Sequence, residues 1–191
     1  QLDGAEIGRG RDDMRWGCAP MRNVALFSLL VAALPLCAQA RSPVVVELYT
    51  AQGCASCGEA NAYVGELAEK PGVLALTFAV DYWDYLGWQD TFAKPAFADR
   101  QRAYVARLDL REPYTPQVVI NGRAQVGGLR DEKIDKLVSD AAHASPRGPD
   151  TAFIGKRRVD VGSGTVPRGG AEVWLVRYDP REQDVTVRTG D

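Results

Sequence analysis

Two cysteines, Cys54 and Cys57, stand three positions apart in the stretch YTAQGCASCGEA at residues 49–60. That spacing suits three kinds of chemistry: dithiol–disulfide exchange, half of a metal site, or a short structural disulfide. Exchange requires a thiolate. An unperturbed cysteine has a pKa of ~8.5, and a helix N-terminus can lower it to ~3.5–7.5 by offering partial positive charge and free amide groups. Metal carriage by soft thiolates has the least support. Two thiolates do not complete the four-ligand shell of a structural zinc, and the single histidine, His143, lies far along the chain. A disulfide between such near neighbours closes too short a loop to add much stability, which favours a chemical role over a structural one.

The elements that would position the pair can be read from the flanks. PVVVELYT, residues 43–50, is β-branched and apolar on both faces except for Glu47, as in a central strand buried on both sides. After the cysteines, Ala60, Tyr63, Val64, Leu67 and Ala68 recur at helical spacing, and Pro71-Gly72 stops that helix. VLALTFAV, residues 73–80, is a second buried strand, and a strand–helix–strand unit of this length favours a parallel crossover. The pair therefore falls at a strand-to-helix junction. Cys54, first in the motif, is assigned as the exposed nucleophile, and Cys57, one turn on and facing inward, as the sulfur that attacks a mixed disulfide and releases the partner.

An aromatic-rich stretch, DYWDYLGWQDTF, follows the second strand and places Tyr82, Trp83, Tyr85, Trp88 and Phe92 within eleven residues. Such large rigid surfaces either close a core or line a substrate groove beside the thiols, for which Tyr82, Trp83 and Trp88 are the candidates. An inserted helix comes next, with Phe97, Gln101, Tyr104, Val105 and Leu108 on one face. YTPQVVINGRAQVGG then reads as a β-hairpin turning at Asn121-Gly122 in a type I′ turn. DEKIDKLVSDAA is a helix with Asp131 as N-cap and Ile134, Leu137, Val138 and Ala141 inward. HASPRGPD, which contains His143, reads as a linker, with a domain boundary near Gly148. Beyond it, a small β region is expected from about Phe153, including AEVWLVRYD and DVTVRTG as strands, and its strand-like end at Asp191 is read as continuing past the last residue.

The front of the chain bears on the compartment. From Met21, MRNVALFSLLVAALPLCAQA has an early basic residue, an apolar run and small residues at Ala38 and Ala40, the pattern of a cleaved secretory signal over residues 21–40. The apolar run, interrupted by Pro35, is shorter than the ~20 residues that span a bilayer, which argues against a membrane anchor. Leu36 is bulky where a lipoprotein signal has a small residue before its cysteine. Residues 1–20 are polar and read as a disordered upstream extension. Cleavage after Ala40 would remove Cys18 and Cys37, leaving Cys54 and Cys57 as the only thiols in an oxidising compartment, periplasmic or secreted.

The 23 basic and 25 acidic residues give a net charge of −2 with no basic run, so nucleic acid is not an expected partner. With 46% hydrophobic residues the chain can fill a globular core.

The order strand, Cys54-Ala55-Ser56-Cys57, helix, strand, Thr115-Pro116, Asn121-Gly122 hairpin, Gly-Gly and terminal helix resembles the thioredoxin-like superfamily over Pro43 to Ala142. More narrowly, VVVELYTAQGCASCGEAN, VDYWDYLGW and YTPQVVING are similar to a bacterial family of secreted thioredoxin-like proteins of uncharacterised function that carries an additional C-terminal β region. The resemblance implies an α/β fold: a thioredoxin-like mixed central sheet flanked by helices over residues 41–148, with a β-rich C-terminal region over 149–191. It implies that Thr115-Pro116 is cis, presses against the disulfide and, with Thr115, offers a strand-like edge to a substrate peptide. It places Glu47 close to where many thioredoxin-like enzymes keep a buried acid, a carboxylate that could take the proton of Cys57, the other reading being an edge or solvent-facing glutamate. Gly58 departs from the proline common after the second cysteine and weakens the first helical turn slightly.

These readings converge on an exported thiol–disulfide oxidoreductase that needs no cofactor beyond its Cys54–Cys57 disulfide. It would act on protein thiols or disulfides with an unidentified redox partner. The principal rival is a secreted binding module of the same fold with a permanent disulfide.

Overall fold

The computed structural model describes residues 42–144, 148–155, 158–164, 168, 175–181 and 183–187. The upstream extension and the signal segment read from the sequence lie outside these residues. Among the described residues no helix is long and apolar enough to cross a membrane.

A four-stranded sheet with the order β2-β1-β3-β4 forms the frame. β1 (Val44–Thr50) runs parallel to β2 (Val73–Ala79) and antiparallel to β3 (Gln117–Ile120), which pairs antiparallel with β4 (Ala124–Gly127). Three helices accompany it: α1 (Cys57–Ala68), α2 (Pro95–Arg107) and α3 (Asp131–Ala144), with a short 3-10 turn at Asp84–Leu86.

Strand alternation gives β1 two buried faces. Val44, Val46 and Leu48 pack with Ala60, Val64 and Leu67 of α1 and Ile134 of α3. Tyr49 and Val119 belong to the other face and pack with Ala98 and Tyr104 of α2, in the same cluster as both cysteines. Helices thus cover both sides of the sheet, which is why β1 carries no solvent-facing alternation.

Local chemistry fixes the element ends. Pro95 opens α2, where its missing amide costs nothing. The β3–β4 turn has positive φ at both Asn121 (48°) and Gly122 (61°), closed by Arg123 N–H donating to the Ile120 carbonyl at 2.9 Å, as a type I′ turn requires. Asn121 also extends the β1–β3 ladder, donating its N–H to Val45 O and accepting the Val45 N–H on Oδ1, both at 2.8 Å.

The structure corrects three local expectations. Asp131 is the first helical residue of α3, not its N-cap, and places its charge in the first turn, where the helix dipole favours it. His143 lies in the last turn of α3, with Nδ1 2.7 Å from the Ser139 carbonyl, so the helix runs into the segment read as linker. The small β region holds a hairpin of β5 (Thr151–Ile154) and β6 (Arg158–Val161); of the strands expected in AEVWLVRYD and DVTVRTG, residues 171–174 and 188–190 lie outside the described residues, and 175–179 and 184–187 carry no strand. Leu175, Val176 and Tyr178 are exposed, so alternation there meets no apolar surface to pack on, and pattern without burial does not make a strand.

Candidate active site

The loop from Ala51 to Ser56 turns twice, with Cys54 N–H donating to Ala51 O at 3.2 Å and Cys57 N–H to Cys54 O at 3.0 Å. This brings the two cysteines together as a disulfide with a Cα–Cα separation of 5.4 Å. The helix begins at the second cysteine with Ser56 as its N-cap residue, so Cys54 lies just ahead of α1 and not within its first turn. Cys54 is 7% exposed and Cys57 1%. The first cysteine is the more accessible, as expected from the motif, but it is largely covered.

The cover is the aromatic segment. The Trp83 Cβ and carbonyl sit 3.3 and 3.5 Å from where a side chain on Gly53 would begin, so the residue before Cys54 must be small. Trp83 Nε1 donates to Thr115 Oγ1 at 2.8 Å, tying the segment to the next loop, and Trp88 Nε1 donates to Gln52 Oε1 at 2.7 Å. Buried Asp90 fixes the far end. Its Oδ2 accepts the Gln52 N–H at 2.7 Å, and its Oδ1 accepts the amides of Phe92 and Ala93 at 2.9 and 3.1 Å. Tyr82 turns inward and donates to Gln101 Oε1 at 3.0 Å, while Tyr85 is 79% exposed.

Thr115–Pro116 is cis. Tyr49 pairs with Gln117, so Pro116 lies across from the end of β1 where the cysteine loop departs. A Cβ on Gly128 would come within 2.7 Å of Pro116 Cβ and 3.0 Å of Ala60 Cβ, one turn beyond Cys57. Gly128 is therefore the spacer between Pro116 and the first turns of α1, with no room for a side chain on either side. A buried amide chain holds its loop: Gln101 Nε2 donates to Tyr114 O at 2.8 Å and to Gln117 Oε1 at 2.9 Å. Tyr114 OH donates to Gln125 Oε1.

Glu47 is 3% exposed, which disposes of a solvent-facing role, but its partners differ from those expected. Oε1 accepts from Tyr104 OH at 2.7 Å and Arg100 Nη2 at 2.9 Å, and Oε2 from Arg100 Nε at 2.7 Å and Tyr49 OH at 3.0 Å. Four donors occupy the roughly four acceptor sites of a carboxylate, so accepting a proton from Cys57 would first require breaking one of these bonds. The arrangement makes Glu47 an anchor between β1 and α2.

Two expectations follow. Removing one partner of a buried ion pair costs ~3–5 kcal/mol, and because Arg100 is about half exposed the Glu47→Gln variant should lose about 2 kcal/mol in denaturant unfolding. Burial and the bond to Glu47 push the Tyr104 hydroxyl up to about 12. The unfolded chain releases that proton near 10, so between the two values the unfolded state is favoured. Stability measured by chemical unfolding should fall as pH rises from about 10 to about 12, and Tyr104→Phe should flatten that fall.

The sequence expectation named Cys54, Cys57, Thr115, Pro116, Trp83 and Trp88, and these surround one disulfide-bearing loop. Tyr82 and Glu47 instead bond α2, through Gln101 and Arg100. Gln52, Asp90, Arg100, Gln101, Gln117 and Gly128 were not singled out. Gln101 had a signal, a polar residue amid an apolar helical face, but the other partners meet only through the fold. Among the described residues no group of three or more His, Cys, Asp or Glu side chains is placed to hold a metal ion.

Fold and site together define a mixed α/β protein with a C-x-x-C disulfide at a strand-to-helix junction. The family described as protein of unknown function (DUF1223) matches residues 45–191, and the chain belongs to that family. It is similar to an X-ray crystal structure of a protein from Agrobacterium tumefaciens, with 34% identity and a TM-score of 0.58. The match covers 68% of this chain and 60% of that one, so the chain spans less than two thirds of that structure's length. No curated protein matches the chain.

Proposed function

We propose that the protein is an exported thiol–disulfide oxidoreductase of the thioredoxin-like class. One observation carries the reading: a C-x-x-C disulfide at the start of α1, with the Thr115–Pro116 loop across from the end of β1 where the cysteine loop departs and only Gly128 between Pro116 and that helix.

In the reducing direction, the Cys54 thiolate attacks one sulfur of a partner disulfide. A Cys54–partner bond forms and the partner's other sulfur leaves as a thiolate. The Cys57 thiolate then attacks Cys54, closing the Cys54–Cys57 disulfide and releasing the second partner thiol, so the partner gains the two electrons that the protein loses. The reverse sequence oxidises a partner dithiol. Trp83, Trp88 and Thr115, which brace the loops beside the disulfide, are assigned to the surface that contacts the partner.

The coverage of Cys54 favours a second reading, a binding module whose disulfide never turns over. Catalysed reduction of insulin by dithiothreitol separates the two. The oxidoreductase reading expects the wild-type chain to accelerate it and Cys54→Ser to abolish the acceleration. Equal rates with wild type, Cys54→Ser and no protein would overturn it.

A further inference from the structure

β4 is the last strand of its sheet, and among the described residues no strand pairs with its outer edge. Gly128 N–H donates to Pro116 O at 2.9 Å, which sets the alternation of the β3–β4 ladder. By that alternation Gln125 and Gly127, opposite Val119 and Gln117, turn their backbone groups away from β3. The Gly127 carbonyl accepts Arg130 N–H at 3.1 Å, leaving the Gln125 amide and carbonyl and the Gly127 amide pointing outward.

A groove of about 590 Å³ runs along this edge, walled by Tyr114, Gln125 and Gly127, by Arg130 just ahead of α3, and by Lys133 and Lys136 on α3. No acidic side chain lines it. Lys136 is paired with Asp140 at 2.8 Å, whereas Arg130 and Lys133 have no ion pair among the described residues. An open strand edge beside unpaired cations recognises an extended backbone that carries negative charge.

We propose that this groove docks an extended acidic segment of a partner protein as an added strand on β4. Its backbone pairs with Gln125 and Gly127, and its alternate acidic side chains face Arg130 and Lys133. β4 ends at Gly127, and the next residue, Gly128, bonds the Pro116 carbonyl, so an occupant held here would lead toward the cis-proline loop. The binding step itself needs no thiol chemistry and stands apart from the oxidoreductase reading.

The test uses the oxidised full chain and a fluorescein-labelled eight-residue peptide alternating glutamate and valine, which contains no sulfur. Anisotropy titration should show binding that weakens about tenfold or more in the Arg130→Glu/Lys133→Glu variant and at raised salt. Binding should weaken comparably when alternate peptide amides are N-methylated, a change that leaves the protein untouched. The amide resonances of Gln125 and Gly127 should shift on titration. Equal binding of a lysine-for-glutamate peptide, or indifference to N-methylation, would overturn the proposal.

Discussion

The Cys57→Ser variant should accumulate mixed disulfides through Cys54 with partner proteins and with small disulfides, while Cys54→Ser accumulates few. With Cys57 gone, the Cys54–partner bond has no internal thiol to resolve it, so it persists until an external thiol arrives. With Cys54 gone, the remaining thiol is the one that is 1% exposed, in the first turn of α1. The expected contrast is large, because access to the attacking sulfur and not intrinsic thiol chemistry decides it. Mass spectrometry after incubation with glutathione disulfide reads the adducts directly. Preferential trapping by Cys54→Ser would reverse the assigned roles.

Gly128→Ala should be the most damaging single methyl in the molecule's site region. The added carbon would sit 2.7 Å from Pro116 Cβ and 3.0 Å from Ala60 Cβ, and neither neighbour has a flexible end that can move aside. Overpacking of this kind costs ~1–3 kcal/mol, and two rigid neighbours at once place Gly128→Ala near the upper figure, about 3 kcal/mol. Because the displaced groups are the cis-proline and the helix that carries Cys57, exchange activity should fall along with stability. Gly58→Ala meets no atom within 4 Å and should leave exchange unchanged and stability unchanged or slightly raised. Denaturant unfolding of the two variants side by side checks the contrast.

Much of the fold could be read locally because its signals are local. β1 and β2 announce themselves as apolar runs, α1 by its 3.6-residue stripe, and the β3–β4 turn by Asn121-Gly122, whose positive φ values few other pairs adopt. The cysteine pair was legible for the same reason: spacing and a strand-to-helix junction are properties of a short window. What could not be read was the polar scaffold beneath it. Glu47 stood out as the one acid in a buried strand, but its partner Arg100 is 53 residues further on and meets it only because α2 crosses that face. Likewise, Gln101 and Gln117 are fully buried amides whose bonds to each other and to Tyr114 depend on the sheet being assembled. The C-terminal misreading has the opposite cause. Residues 175–187 alternate like strands, but alternation states only that one face could be buried, and the described residues there are mostly exposed.

The aromatic segment was ambiguous between core and groove, and the structure divides it. Tyr82 is spent on holding α2, Trp83 and Trp88 brace the loops around the disulfide, and Tyr85 and Phe92 face solvent.

Whether the Cys54–Cys57 bond opens and closes under physiological conditions is decided most directly by its reduction potential, obtained by equilibrating the protein in glutathione buffers and quantifying free thiols. A working exchange site should fall within the range of known thiol–disulfide catalysts, about −120 to −270 mV. A value below about −300 mV, typical of disulfides that stay closed, would contradict the proposed chemistry and leave the fold as a scaffold for binding.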